Sequence, residues 1–327
     1  MSKPKIFITR KIPVPIIDQL EKSCEVSIWE HEDTPVPREI LEEKITEIDG
    51  LFCLLTENIN EELISKAKKL KVISNMAVGY NNIDINAATK KGIIVTNTPG
   101  VLTETTADLT FALLMATARR IPEASSYMRE GKWKTWSPMQ LTGQDIYNST
   151  IGIIGLGRIG EALARRAKGF NMNILYRNRN RNLQAEGELG LQYVSLEDLL
   201  KKSDFVCIMT PYTPETYNMI RKEHFQLMKD TAILINTARG GIVNENDLYQ
   251  ALADGVIWAA GLDVFEQEPV PLDHPLLTLP NVVTLPHIGS ASIGTRMKMA
   301  EVAAENLLRA LTGDIPQNAV NKEWLND

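Results

Sequence analysis

Four polar side chains stand just past the ends of three apolar runs in the second half of the chain. Arg239 lies in Asn-Thr-Ala-Arg-Gly-Gly after residues 232–236, Asp263 and Glu268 in Leu-Asp-Val-Phe-Glu-Gln-Glu-Pro after 258–262, and His287 in Leu-Pro-His-Ile-Gly-Ser after 282–285. In open α/β sheets, ligands sit outside the carboxyl ends of the strands. If these runs are successive strands of one sheet, a cation, two carboxylates and an imidazole reach one edge together. That set suits hydride transfer to a 2-keto acid. A guanidinium can hold the carboxylate and carbonyl, and a proton donor can serve the oxygen as hydride reaches carbon. His287 is the expected donor, because imidazole exchanges protons near neutral pH. Glu268 is its expected partner, since a neighbouring carboxylate favours the charged ring. His31 in a charged loop, His224 in a helical stretch and His274 before a proline are expected to make structural hydrogen bonds only.

The source of hydride is indicated upstream. Residues 150–160, Thr-Ile-Gly-Ile-Ile-Gly-Leu-Gly-Arg-Ile-Gly, break from an apolar run into glycines and turn helical. Gly155 allows the tight turn, Gly157 lets a pyrophosphate approach bare backbone, and Gly160 lets the helix pack against the strand. The helix that follows is expected over 161–168, with Ile159, Leu163 and Ala167 along one face and the phosphates at its positive end, and Arg158 and Ile159 between the glycines are counted among the cofactor-binding residues. A dinucleotide is therefore expected. In this fold a carboxylate some 20 residues further on binds the free ribose hydroxyls. Here the second strand, 173–176, ends in Tyr176-Arg177-Asn178-Arg179-Asn180-Arg181, with no acid before Glu186. Guanidinium groups bind a ribose 2′-phosphate that a carboxylate would repel. Arg177, Asn178 and Arg179 thus favour NADP over NAD, with NAD still possible.

The chain has 327 residues, of which 44% are hydrophobic and 23% charged, with net charge −6. This length favours two domains, and the charge gives no basic surface for nucleic acid. No apolar run is long enough to span a bilayer, and Met1 to Lys5 lead into a strand-like run instead of a signal peptide, so a cytoplasmic protein is expected. Cys24, Cys53 and Cys207 fit no metal motif; they read as small buried hydrophobes, and no metal is expected.

Strand and helix patterns alternate from residue 6 to 96. Helices are expected at 15–22, 38–46, 61–70 behind Asn60, and 83–91, which makes a parallel α/β domain. A long helix at 103–120, capped by Thr103, follows the Asn97-Thr98-Pro99-Gly100 break. Residues 121–148, with Trp133 and Trp136, show no periodicity and read as core or as a subunit interface. Later strands are expected at 205–209, 232–236, 258–262 and 282–285, with helices at 196–202 behind Ser195, 222–228, 245–254 and 291–312.

Taken in order, Gly-Leu-Gly-Arg-Ile-Gly, Asn-Thr-Ala-Arg-Gly-Gly, Gly-Leu-Asp-Val-Phe-Glu-Gln-Glu-Pro and Pro-His-Ile-Gly-Ser resemble the D-2-hydroxyacid dehydrogenases, and among them the glyoxylate and hydroxypyruvate reductases. The resemblance implies two doubly wound parallel-sheet domains, with a Rossmann nucleotide domain (101–287) inserted into a flavodoxin-like substrate domain (1–100 and 288–327). It implies that Arg239 orients the substrate, that Glu268 pairs with a catalytic His287, and that Asp263 holds the nicotinamide carboxamide. The backbone amides of Val78 and Gly79 would receive the substrate carboxylate. Thr106, Thr210, Pro211, Thr216, Thr237, Ala238 and Gly289 would line the cofactor beside Arg239 and His287. A homodimer joined by an arm near 101–148 is implied, with Trp136 reaching the partner's substrate. The implied activity is NADPH-dependent reduction of glyoxylate, hydroxypyruvate or 2-ketogluconate. Similar chains also serve as NAD-dependent phosphoglycerate dehydrogenases or as dinucleotide-sensing corepressors. Formate oxidation, in relatives with glutamine at the Glu268 position, is not expected.

Overall fold

Short aliphatic and β-branched runs alternate with helices along the chain, and every strand pairs in parallel. The computed structural model describes residues 2–324; Met1 and 325–327, which the sequence reading included, lie outside them. The chain divides into two units. One runs to Leu102 and resumes at Ser292, and the other is Thr103–Ala291.

The first unit is built as β1 (Lys5–Ile8), α1 (Val14–Glu21), β2 (Glu25–Ile28), α2 (Arg38–Ile45), β3 (Gly50–Cys53), α3 (Glu61–Lys66), β4 (Val72–Asn75), α4 (Ile85–Lys90) and β5 (Ile94–Thr96). Its sheet order is β2-β1-β3-β4-β5, the flavodoxin-like doubly wound pattern. The central strands β3 and β4 are buried throughout, as expected where helices cover both faces. Asn60 and Asp84 start α3 and α4 by accepting from Leu63 N at 3.1 Å and Ala87 N at 2.9 Å. Both helices are shorter than expected. Residue 67 has already turned extended (φ −67°, ψ 123°), and Asp84 acts as a cap instead of a helical residue.

The second unit continues with α5 (Thr103–Ala118), α6 (Ile121–Arg129), β6 (Thr150–Ile154), α7 (Arg158–Gly169), β7 (Asn173–Arg177), α8 (Leu183–Leu189), β8 (Gln192–Tyr193), α9 (Leu196–Lys202), β9 (Phe205–Ile208), α10 (Lys222–Phe225), β10 (Ile233–Asn236), α11 (Glu245–Ala253), β11 (Ala259–Leu262) and β12 (Val282–Thr284). The order β12-β11-β10-β9-β6-β7-β8 makes β6 and β9 the point where the winding reverses. Alternating side chains feed two cores. Phe205, Cys207, Ile233 and Ile235 join the layer under α5 and α7, while Val206, Ile208 and Leu234 join the opposite one. Burying each such side chain stabilises by about 1.5–3 kcal/mol. All three cysteines are buried, and burial pushes the Cys207 thiol up.

Three local expectations are corrected. Residues 121–148 are not wholly irregular, because α6 occupies 121–129. It has no buried residue, hence no apolar stripe to read, and Pro122 in its first turn follows Arg120 in left-handed backbone (φ 52°). Helix α5 begins at Thr103 itself, so Thr103 is not a cap, and it ends at Ala118. Neither α8 nor the two-residue edge strand β8 was anticipated.

The chain closes with α12 (Ile293–Leu311), capped by Ser292 and belonging to the first unit. Ser74 Oγ of β4 donates to Ala303 O at 2.7 Å, and Asn321 Oδ1 accepts from Val95 N of β5 at 3.0 Å.

Candidate active site

The glycine turn sits at the end of β6, where the winding reverses. Gly155 is left-handed (φ +99°), and a Cβ there would lie 2.6 Å from Thr210 N at the end of β9. A Cβ on Gly160 would fall 2.4 Å from Gly155 O. The protein's own packing thus requires both glycines. Gly157 differs. It caps α7 without any side-chain hydrogen bond, and a Cβ on it would meet nothing within 4 Å. Open space over the amide end of a twelve-residue helix fits a pyrophosphate cradle. Beside it, Thr216 Oγ1 donates to Pro211 O at 2.8 Å and accepts from Thr213 N at 2.7 Å, which shapes the loop after β9.

Arg177 ends β7, with its guanidinium carbon 5.2 Å from the Tyr193 ring centroid and a hydrogen bond to the Tyr193 hydroxyl. Asn178 is half-buried and Arg179 exposed. Glu186, the first acid beyond them, is engaged elsewhere. It accepts from Tyr176 Oη at 2.6 Å and from Arg181 Nε at 3.0 Å. Arg181 and Tyr176 hold its carboxyl below the usual range.

Adjacent strands β10, β11 and β12 deliver the polar cluster. Asn236, buried at the end of β10, shapes the next turn by donating to Arg239 O at 2.9 Å and accepting from Ala238 N at 3.1 Å. Thr237 Oγ1 lies 2.7 Å from Thr110 Oγ1 of α5. A Cβ on Gly240 would fall 1.9 Å from the Phe265 carbonyl, so the loop carrying Arg239 presses directly on the loop carrying Glu268. Burial lowers the Arg239 guanidinium from its ordinary value, and the Glu268 charge opposes that shift.

Glu268 accepts from Phe265 N through Oε1 at 2.9 Å, and its Oε2 lies 2.6 Å from His287 Nδ1. Burial works against its ionisation. The His287 hydrogen bond and charge, the Phe265 amide and Arg239 outweigh that and hold the carboxyl below its ordinary value. With Nδ1 engaged, Nε2 is the ring nitrogen left to exchange a proton. His287 is itself left-handed (φ 55°), and the next amide, Ile288 N, donates to Asp263 Oδ1 at 2.8 Å. Asp263 therefore fixes the backbone beside the imidazole, while Glu268 fixes the ring.

Asp263 Oδ2 is buried with no hydrogen-bond partner. Burial raises this carboxyl, opposed by the Ile288 amide and the His287 charge. A Cβ on Gly289 would lie 3.3 Å from Oδ2 and 3.5 Å from Thr106 Cγ2, which places Thr106, Asp263 and Gly289 together. A buried acceptor left unsatisfied is costly, and a ligand N–H would relieve it.

Val78 and Gly79 belong to the first unit, in the loop after β4. Trp136 is 76% exposed on the arm and is not among the groups the cluster gathers. The other histidines have structural surroundings. His31 packs on Trp29 with centroids 4.6 Å apart, and His224 Nδ1 accepts from Arg221 N at 3.4 Å. His274 Nε2 lies 3.0 Å from Glu245 Oε2, while Glu245 Oε1 accepts from Glu266 N at 2.6 Å. The sequence reading missed Glu245 as an anchor of the Glu268 loop, and nothing local in its sequence marks it.

A glycine cradle where the strand order reverses, with an imidazole–carboxylate pair and a half-buried guanidinium at neighbouring strand ends, defines a dinucleotide-dependent oxidoreductase. Residues 111–289 match the family described as D-isomer specific 2-hydroxyacid dehydrogenase, NAD binding domain. The glyoxylate reductase of Korarchaeum cryptofilum is 54% identical over 322 residues, covering 98% of this chain and 97% of that one. A solved protein of Thermus thermophilus is 45% identical with a TM-score of 0.90, covering 97% and 99% of the two chains. An NADPH-dependent glyoxylate/hydroxypyruvate reductase of Sinorhizobium meliloti, solved with NADP and malonate, is 32% identical with a TM-score of 0.86, over 98% and 97%. The chain belongs to the D-isomer specific 2-hydroxyacid dehydrogenases and is an NAD(P)-dependent enzyme of that family. Among the described residues no helix is long and apolar enough to cross a membrane.

Proposed function

We propose that the chain uses NADPH to reduce glyoxylate to glycolate, and hydroxypyruvate and 2-ketogluconate to the corresponding D-2-hydroxy acids. The observation that carries this is the 2.6 Å Glu268–His287 pair beside a half-buried Arg239 on adjoining strand ends. The bound nicotinamide supplies the hydride. Arg239 holds the keto oxygen and carboxylate, with the amides of Val78 and Gly79 as further carboxylate donors. His287 Nε2 gives its proton to the oxygen as charge develops there, and Glu268 stabilises the imidazolium before transfer. Asp263 Oδ2 accepts from the nicotinamide carboxamide. Gly155, Gly157, Arg158, Ile159 and Gly160 receive the pyrophosphate, and Arg177, Asn178 and Arg179 the ribose 2′-phosphate. Glyoxylate reductase activity in relatives and the NADP bound to the Sinorhizobium protein support the reading. The chain is taken to act as a homodimer through the exposed arm, where Trp133 and Trp136 are 52% and 76% exposed.

Initial rates on the four keto acids glyoxylate, hydroxypyruvate, 2-ketogluconate and 3-phosphohydroxypyruvate, each with NADPH and NADH, test this. Glyoxylate with NADPH is expected to lead. Joint substitution of Arg177→Ala and Arg179→Ala should lower kcat/KM for NADPH about tenfold or more and leave NADH nearly unchanged, since only one cofactor carries the phosphate those groups meet. A wild-type preference for NADH would overturn the cofactor assignment and favour the phosphoglycerate dehydrogenase-like reading. No turnover on any acid would favour the sensing scaffold. Sedimentation of the same preparation should give the mass of two chains; a one-chain mass removes the dimer and any role for a partner's Trp136.

A further inference from the structure

In the first unit, β4 ends at Asn75, and the loop that follows presents Ala77, Val78 and Gly79. Three hydrogen bonds grip the carbonyls of this loop. Thr98 N donates to Ala77 O at 2.9 Å, Asn97 Nδ2 donates to Val78 O at 2.8 Å, and Asn75 Nδ2 donates to Gly79 O at 3.0 Å. A carbonyl can only accept, so the amide nitrogens of both asparagines must face the loop. These asparagines are themselves fixed. Asn75 is fully buried, and Asn97 is buried with its backbone oxygen accepting from Asn306 Nδ2 at 3.1 Å. Asn82 braces the loop from the far side, donating to Leu54 O and Glu57 O at 3.0 Å each.

In a trans peptide the N–H points opposite to the C=O of the same unit. The one cis bond among the described residues is Glu268–Pro269, so both peptides here are trans. Holding Ala77 O against Thr98 therefore turns the Val78 N–H away from residues 97–98. Holding Val78 O against Asn97 does the same for the Gly79 N–H. Neither amide donates a hydrogen bond among the described residues. Two successive backbone donors facing one way form an anion-binding concavity, and here it is preorganised before any ligand arrives.

We propose that Asn97 is a positioning residue for substrate carboxylate binding: its hold on Val78 O aims the Gly79 amide, beside the Val78 amide that the Thr98 backbone aims through Ala77 O. This rests on the proposed role of those amides and adds what keeps them aimed. Asparagine suits the task because it offers a neutral donor. A carboxylate of the same shape at position 97 would repel the Val78 carbonyl and favour a flipped peptide.

The test uses the full-length enzyme saturated with NADPH and oxamate, a 2-oxo acid mimic that is not reduced. Asn97→Asp should raise the oxamate Kd and the glyoxylate KM about tenfold or more, as expected for a misdirected hydrogen bond to a charged group. Saturated kcat should change much less, about threefold at most, and NADPH affinity should stay as in the wild type. A general loss of structure would move all four quantities, so this split identifies positioning. Oxamate binding by Asn97→Asp equal to the wild type overturns the clamp. If the variant fails to fold, the wild type labelled with ¹⁵N at valine and glycine decides. Oxamate should shift both the Val78 and Gly79 amide resonances, and binding that leaves them unmoved overturns the proposal. If wild-type enzyme with NADPH neither binds oxamate nor reduces glyoxylate, the proposed function falls and takes the clamp with it, a result distinct from failure of the variant alone.

Discussion

His287→Asn should lower kcat for glyoxylate reduction by about a thousandfold, within the roughly 10²–10⁴ range of a positioned general acid, and leave NADPH affinity near the wild-type value. Asparagine is chosen because His287 has left-handed backbone (φ 55°), a conformation asparagine tolerates better than most residues. The neighbouring Ile288 N–H can keep its 2.8 Å bond to Asp263, so the backbone that presents the site need not move. What disappears is the ring nitrogen opposite the Glu268 contact, the group assigned to give its proton to the substrate oxygen. Glu268 then loses its 2.6 Å partner and the hydrogen bond that does most to hold its carboxyl low. That side chain remains partly exposed, so water can replace the contact without unfolding the loop. Single-turnover measurement with NADPH prebound separates proton delivery from product release. Turnover within about threefold of the wild type would reject His287 as the donor.

Legibility in the sequence follows how local each cause is. The turn at Gly155–Gly160 could be read because strand end, glycines and helix start are contiguous, and Gly155 and Gly160 each answer a contact within the motif or at the neighbouring strand end, while Gly157 leaves open space. Arg239, Glu268 and His287 could be ranked because parallel strands all present their carboxyl ends to one edge, so a position in each loop sufficed. Helix α6 could not be read, since it buries nothing and its first turn depends on Arg120 and Pro122. Nor could the extent of α3, which stops where residue 67 becomes extended, well before the apolar pattern ends. The clamps escaped for another reason. Asn97 meets a backbone carbonyl 19 residues away, and Asn75 meets one 4 residues on around a turn of no repeating geometry. Backbone carbonyls carry no residue identity, so no pattern of types marks such a contact. The Glu245–His274 bond, 29 residues apart, was invisible for the same reason of distance.

Arg239→Lys should cost about 10²–10³ in kcat/KM for glyoxylate at neutral pH, the range seen when a donor to developing negative charge is lost. Two causes act together. The guanidinium is a planar fork able to meet a carboxylate and a carbonyl at once, whereas an ammonium is a point charge on a flexible stem. The position is also half-buried, and desolvation already lowers the guanidinium from its ordinary value against the opposing Glu268 charge. A lysine in that place would lose its proton far more readily than arginine does. The ratio of variant to wild-type kcat/KM should therefore rise as pH falls, because acid restores the charge but not the fork. Recovery should be partial, and the remaining deficit at low pH measures the geometry alone. A ratio that stays flat with pH assigns the whole loss to geometry and removes the neutralisation argument. Unchanged kcat and KM at neutral pH would remove Arg239 from substrate binding altogether, leaving its turn, held by Asn236 and pressed against Phe265, with a purely structural role.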